Sequence, residues 1–111
     1  MKPRFHVMLA VLALVHTAPG VAQDPNAGRN LAAACFTCHG TDGNSIQSIP
    51  PSLAGRSSAE LVQAMKEFQS GKRPATVMHQ QARGYDDRQL QLIAAYFASV
   101  KPAAPRLPSK P

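Results

Sequence analysis

The stretch Cys35-Phe36-Thr37-Cys38-His39 decides how the rest of the sequence is interpreted. It holds both cysteines of the chain, at i and i+3, and a histidine at i+4. On a helix these three positions lie on one face. Two thiols can therefore add to the vinyl groups on one edge of a haem, and the imidazole of His39 reaches the iron from the same side. This spacing is the signature of covalent haem attachment, so we predict one haem c bound by Cys35, Cys38 and His39.

Other chemistries of two cysteines and a histidine are alternatives at this point. A structural zinc site takes four ligands, and outside the motif only His79 remains once the N-terminal segment is set aside. A thioredoxin-like redox pair belongs to a βαβ setting, which the sequence does not indicate. A plain disulfide is compatible with an oxidising compartment. The motif together with an export signal favours haem over all three.

The N-terminal segment has the pattern of a secretory signal. Lys2 and Arg4 precede an apolar run over residues 7–15, and small residues lead to a cleavage site after Ala22. The run is shorter than the roughly 20 apolar residues that a membrane-spanning helix needs, so we expect no stable span after cleavage. Residues 1–22 are predicted to be a signal peptide and the protein to be periplasmic, with an uncleaved N-terminal anchor as the alternative.

The remaining chain predicts a small all-α domain over residues 23–101, with three or four helices around one haem. Asp24 or Asn26 can cap a first helix that leads to the cysteines. Ser57 and Glu60 have the spacing of a capping box before a second helix, which Gly71 ends.

A last helix is expected from Asp86 onwards. Its apolar side chains recur at i, i+3, i+4 and i+7, which predicts a buried stripe made of Leu90, Ile93, Ala94 and Phe97. The polar segment from residue 72 to 83 is predicted to be a loop. Residues 102–111, with four prolines, are predicted to be a solvated, disordered tail.

Met78 is our prediction for the sixth iron ligand. It stands in the polar segment, where core packing explains a methionine poorly, whereas Met65 falls on the apolar stripe of its helix. His79 is adjacent and is an alternative ligand, and an open sixth position is another. A carrier of single electrons has both axial positions filled, whereas a haem enzyme or gas sensor keeps the sixth position open. We favour the electron carrier, which is not an enzyme, over that alternative.

The charge balance favours an acidic protein partner over nucleic acid. The chain has 12 Lys and Arg against 6 Asp and Glu, and 10 against 6 remain without Lys2 and Arg4. We expect Lys72, Arg73 and Arg83 to ring an exposed haem edge and to dock with a redox protein. Basic residues do not cluster with aromatic ones, so no binding of nucleic acid is expected.

From about Gly28 to Val100 the sequence resembles a class I cytochrome c. The segments that carry the resemblance are the motif at residues 35–39, Pro51-x-Leu53-Ala54-Gly55, Met78 and Ala94-Ala95-Tyr96-Phe97. It implies the class I fold and an electron-transport function.

The resemblance also implies roles for single residues. The carbonyl of Pro51 would accept the Nδ1 proton of His39, and Leu53 would pack against the haem face. Gly28 would let the first helix approach the last one near Tyr96 or Phe97.

A closer similarity is to the haem domains of the cytochrome subunit of flavocytochrome c sulfide dehydrogenase and of cytochrome c4. Residues 70–78 and the stretch Gly84-Tyr85-Asp86-Asp87 carry it. The similarity implies a sulfide-oxidising flavoprotein as one partner. Those relatives commonly carry two haem domains, whereas this sequence has one Cys-x-x-Cys-His, so a single-haem role is expected.

Overall fold

The computed structural model describes residues 24–47 and 49–104. The predicted signal peptide lies outside the described residues, and so does the tail beyond residue 104. The regular elements are α1 (Ala27–Ala32), a 3₁₀ turn (Ala33–Cys35), α2 (Phe36–His39), a second 3₁₀ turn (Thr41–Gly43), α3 (Ser58–Ser70), α4 (Met78–Ala82) and α5 (Asp87–Ser99). Because α1, the first turn and α2 follow one another without a break, these residues form four helical segments and no strand. The predicted all-α fold is confirmed.

The first helical segment is fastened at its start by Asp24. One carboxylate oxygen accepts a hydrogen bond from the Asn26 amide at 2.9 Å, and the other accepts from the Asn30 side chain at 3.1 Å. Asn26 is the N-cap residue but makes no side-chain cap bond. The segment ends at Gly40, whose φ of 83° is one that few other residues adopt. It therefore ends directly after His39, as the motif requires.

Both long helices begin where the sequence predicts, and α3 also ends where it predicts. Ser57 accepts a hydrogen bond from the Glu60 amide at 3.2 Å, and Gly71 ends α3 in the left-handed region with φ 77°. At the start of α5 the bonds are reciprocal, because Asp86 accepts from the Gln89 amide at 2.8 Å and Gln89 accepts from the Asp86 amide at 2.9 Å.

The core lies where α1 crosses α5. Ala32, Ile93 and Phe97 form its buried centre. Gly28 permits the crossing, since a Cβ there would stand 2.6 Å from the Leu92 carbonyl oxygen and 3.3 Å from Tyr96 Cβ. This is the close approach that the family resemblance implies for Gly28.

The prediction of a loop over residues 72–83 is wrong for its last part, because Met78–Ala82 form α4. The Ala82 side chain is fully buried. The side-chain amide of Gln69 on α3 donates to the carbonyls of Ala82 and Tyr85, each at 2.9 Å. Tertiary contacts of this kind stabilise a helix too short to show a periodic pattern, which is why the sequence did not reveal it.

The chain beyond α5 stays in contact with the domain at first. Pro102 lies against Gly55, and the Ala103 amide donates to the Asn44 side chain at 2.6 Å. The predicted tail thus begins with residues that pack on the loop after the motif. In the part of the chain that the structure describes, no helix is long and apolar enough to cross a bilayer.

Candidate haem-attachment site

The two cysteines lie within one turn of each other, at different depths. Cys35 ends the first 3₁₀ turn and is half-buried, whereas Cys38 lies in α2 and is exposed. Both are free thiols, so the disulfide alternative is not what the structure shows. Burial, and to a smaller extent the neighbouring Cys38, raise the pKa of the Cys35 thiol above its ordinary value. The pair therefore offers two sulfurs within one helical turn of each other.

The imidazole of His39 is buried and its orientation is fixed. Only 8% of the residue is exposed. Its Nδ1 lies 2.7 Å from the carbonyl oxygen of Pro51. Because a carbonyl oxygen only accepts hydrogen bonds, Nδ1 carries the proton and Nε2 keeps its lone pair for a metal. The structure thus brings His39 and Pro51 together in the contact that the resemblance implies.

The Pro51 carbonyl is held in place by the turn that follows the motif. The carbonyl of Gly43 accepts hydrogen bonds from the amides of Leu53 at 2.8 Å and Ala54 at 3.1 Å. Gly43 has φ 77°, and a Cβ there would stand 2.7 Å from the Phe97 ring. Glycine is therefore required at this position, where the turn, the Pro51 segment and α5 meet.

The other predicted site residues lie farther along the chain. Leu53 is half-buried and packs against the core cluster. Met78 is the first residue of α4, and His79 is the second; both are half-buried. Helix α4 packs on α3. The structure thus groups Cys35, Cys38, His39 and Pro51, and places the two alternative sixth ligands side by side on a separate helix.

This set of residues fits a covalent haem. Two thiols and an imidazole with an available Nε2 lie within one short helical stretch, as thioether attachment and iron ligation require. Cys35 packs against the core cluster together with half-buried apolar side chains suited to a flat apolar group, among them Leu31, Phe36, Leu53, Leu61 and Tyr85. Across the described ranges no three His, Cys, Asp or Glu side chains are grouped to hold a metal ion.

A polar cluster that the sequence does not predict lies beside the motif. The Tyr96 hydroxyl donates to Asp42 Oδ1 at 2.5 Å, and Arg29 Nη2 lies 3.5 Å from the same oxygen. The Arg29 guanidinium also lies 5.8 Å from the centre of the Phe36 ring. Asp42 lies in the turn directly after the motif. Tyr96 is 54 residues away from it, so no local pattern could have paired them.

Comparison with known proteins gives the family. The family model described as Cytochrome c matches residues 25–101. The cytochrome subunit of sulfide dehydrogenase from Chlorobaculum tepidum is 42% identical over 73 residues, 66% of this chain and 66% of that protein. Cytochrome c4 from Pseudomonas aeruginosa is 40% identical over 93 residues, 84% of this chain and 44% of that protein. Cytochrome c-554(548) from Halomonas halodenitrificans is 37% identical over 81 residues, 70% of this chain and 98% of that protein.

A solved structure agrees with these relatives. Thiosulfate dehydrogenase TsdBA from Marichromatium purpuratum superimposes with a TM-score of 0.64 and 30% identity, over 76% of this chain and 20% of that one. The chain therefore spans only part of several proteins that it resembles, and nearly all of cytochrome c-554(548). From the family model, the helical fold and the Cys35-x-x-Cys38-His39 geometry together, we conclude that the chain belongs to the cytochrome c family and that haem c is its cofactor.

Proposed function

We propose that this cytochrome is a single-haem carrier of single electrons in which His39 and Met78 are the axial ligands of the iron. The hydrogen bond between His39 Nδ1 and the Pro51 carbonyl, at 2.7 Å, carries the proposal, because it fixes the ring and leaves the Nε2 lone pair available for the iron. When bound, haem c supplies one-electron exchange between ferric and ferrous iron. The residues of the chain attach it, orient its ligands and limit the access of water.

The cysteines and the histidine of the motif have different tasks. Cys35 and Cys38 would form the thioether links that retain the haem. His39 holds a constant position because Pro51 fixes its ring. Two protein ligands that stay in place keep the coordination geometry similar in both oxidation states, which suits electron transfer better than catalysis.

Met78 and His79 are mutually exclusive as ligands from the same helix. Successive residues of an α-helix point about 100° apart, so only one of the two can face the iron. Both are half-buried at the start of α4. A methionine opposite a histidine raises the reduction potential, which suits an acceptor of electrons from a dehydrogenase.

The proposed partner is a redox enzyme of sulfur oxidation, such as a sulfide-oxidising flavoprotein. Two proteins that this chain resembles bear the names of a sulfide dehydrogenase subunit and a thiosulfate dehydrogenase. Lys72, Arg73 and Arg83 are all exposed on the segments that border α4, and they suit an acidic docking surface. Arg73 Nη1 also lies 4.0 Å from Glu67 Oε2, and this neighbouring negative charge reduces the contribution of Arg73 to docking. The proposed setting is the periplasm, to which the signal peptide directs the chain before it is cleaved after Ala22.

The test uses optical spectra of the purified holoprotein in both oxidation states. Met65 and Met78 are the methionines outside the proposed signal peptide, so Met65→Ala is a matched control for Met78→Ala. We expect the weak red absorption band of methionine-ligated ferric haem in the parent, in Met65→Ala and in His79→Ala, and its loss in Met78→Ala. Covalent attachment is checked by mass spectrometry after denaturation.

Other outcomes of this experiment contradict the proposal in distinct ways. A band that survives Met78→Ala excludes Met78 as the ligand. A low-spin spectrum that only His79→Ala abolishes identifies His79 instead. A parent protein with a high-spin spectrum that binds carbon monoxide readily supports the haem enzyme or gas sensor.

A further inference from the structure

We infer that Tyr96 and Asp42 are positioning residues for the iron-ligating histidine, and that the Tyr96 hydroxyl on α5 maintains the hydrogen bond between His39 and Pro51. The inference rests on haem attachment at His39 and is independent of which residue is the sixth ligand. Three contacts in sequence lead from Tyr96 to the His39 ring.

The first contact fastens the turn after the motif to the two core helices. Tyr96 Oη donates to Asp42 Oδ1 at 2.5 Å, and Arg29 of α1 lies 3.5 Å from that oxygen. Asp42 has φ 53° and is the one non-glycine residue with a positive φ among the described residues. Such a backbone conformation costs free energy and persists when surrounding contacts fix it. Burial and the bond to Asp42 raise the pKa of Tyr96, so the phenol stays protonated and donates.

The second contact transmits the position of Asp42 to the segment before α3. Gly43 follows Asp42 directly, and its carbonyl accepts the amides of Leu53 and Ala54. The Phe97 ring packs against Gly43 from the other side. A shift of Asp42 therefore moves the acceptor that holds this segment.

The third contact is the hydrogen bond between His39 and the segment that contains Pro51. Pro51 lies two residues before Leu53, and its carbonyl accepts from His39 Nδ1 at 2.7 Å. At the other end of the turn, Gly43 donates to the Gly40 carbonyl at 2.9 Å, and Gly40 directly follows His39. His39, the turn and the Pro51 segment thus form one hydrogen-bonded loop, and the bond from Tyr96 attaches that loop to α5.

The hydrogen bond from His39 to Pro51 affects how strongly the imidazole donates electrons to the iron. A hydrogen bond from Nδ1 to an acceptor makes the ring a more basic ligand. A more basic ligand stabilises the ferric state, which carries the higher charge. Loss of the Tyr96 hydroxyl lets the loop move and weakens the bond from His39 to Pro51, so the reduction potential rises.

The decisive variant is Tyr96→Phe in the haem-loaded protein, because it removes one hydroxyl and no charge. We expect faster hydrogen exchange of the His39 Nδ1 proton and of the Leu53 and Ala54 amides, measured by NMR in the ferrous state, and a higher reduction potential. Asp42→Ala should produce the same changes.

Asp42→Asn is the conservative counterpart of Asp42→Ala. It keeps an oxygen that accepts from Tyr96, and asparagine tolerates a positive φ. Hydrogen exchange at His39 should stay close to that of the parent. Asp24→Asn is the control for the loss of charge, because it also removes one negative charge, before the start of α1 and away from the turn.

A second control separates positioning from general loss of stability. Gln89→Ala breaks the reciprocal cap of α5 without touching the turn. It should destabilise the protein while leaving the His39 proton and the potential unchanged. If Tyr96→Phe also left both unchanged, the hydroxyl would contribute to the fold alone and the inference would be overturned. Because the methionine–iron band is monitored in every variant, this result is distinct from a wrong assignment of the sixth ligand.

Discussion

The α1–α5 region and the α3–α4 region of this cytochrome are held together in different ways. In the first, Ala32 is fully buried and Phe97 is 1% exposed where the two helices cross. In the second, α3 has an apolar stripe that includes Leu61, Met65 and Phe68, yet no residue of Ser58–Ser70 is buried. The α1–α5 region is thus packed by protein side chains, whereas the half-buried stripe of α3 suits contact with the prosthetic group that α2 carries.

Polar contacts attach the α3–α4 region to the rest. Gln69 donates to one carbonyl at the end of α4 and to one beyond it, and Lys66 forms an ion pair with Asp87 at the start of α5. Because the Asp87 side chain is 81% exposed, this pair contributes at most about 1 kcal/mol. We therefore expect mutations in the α1–α5 region to affect global stability most, and mutations in the α3–α4 region to affect the sixth ligand.

The largest effect is expected from Phe97→Ala. Its ring packs against Gly43 and makes an edge-to-face contact with the Phe36 ring, with the two centroids 6.3 Å apart. Truncation of such a buried ring typically costs about 3–5 kcal/mol of unfolding free energy. Phe68→Ala is the matched change in the α3–α4 region and should cost clearly less. Denaturant titration of both holoproteins tests this, and equal losses would remove the distinction between the two regions.

Next in size is Gly28→Ala. The new methyl group would meet the Leu92 carbonyl at 2.6 Å, and a backbone atom cannot move aside as a flexible side chain can. We expect a loss of about 1–3 kcal/mol from this overpacking.

Gly84→Ala provides the control for the glycine prediction. Its nearest neighbour would be 3.5 Å away, an ordinary contact. Replacing a glycine at a compatible site stabilises by about 0.4–1 kcal/mol. Thermal unfolding of both variants measures the difference, and a Gly28→Ala protein as stable as the parent would show that α1 and α5 tolerate a wider separation.

Gln69→Leu should have a smaller global effect but a specific local one. It deprives two carbonyls of their shared donor, which costs about 1–3 kcal/mol. Because those carbonyls belong to the end of α4 and the residues after it, the Met78 segment should loosen first. We expect the methionine–iron band to disappear at a lower denaturant concentration than the unfolding midpoint.

Gln63→Leu is the control for this prediction, on the same helix. The exposed Gln63 side chain bonds only to the Glu67 side chain, at 3.0 Å. Its replacement should leave the band and the midpoint coincident. Coincident transitions in Gln69→Leu as well would mean that Gln69 does not restrain the ligand segment.

The two regions also differ in how far the sequence predicts them. The caps at Ser57 and Asp86, the stop at Gly71 and the stripe that ends in Phe97 are local patterns, and the structure contains all of them. The haem motif is likewise local and complete within five residues. The contact of His39 with Pro51, by contrast, came from the family resemblance and not from any pattern of spacing.

What the sequence did not predict depends on distant partners. Helix α4 is fixed by Gln69, nine residues before Met78, and by the burial of Ala82. The bond between Asp42 and Tyr96 joins residues 54 positions apart. Hydrogen bonds across such separations leave no periodic signature, so a turn residue and a helix residue gave no sign of acting together.

The smallest expected effect comes from the caps, one in each region. Asp86 and Gln89 bind each other's amides at 2.8 and 2.9 Å, whereas the Ser57 hydroxyl accepts from the Glu60 amide and donates to the Glu60 carboxylate, both at the longer distance of 3.2 Å. We expect Asp86→Ala to cost about 1 kcal/mol and Ser57→Ala about half as much. Denaturant titration of the two variants gives the ratio. A larger loss for Ser57→Ala would show that α3 depends on its N-terminus more than α5 does. Buried side chains secure α5 along its length, whereas α3 has no buried residue to compensate for a frayed first turn.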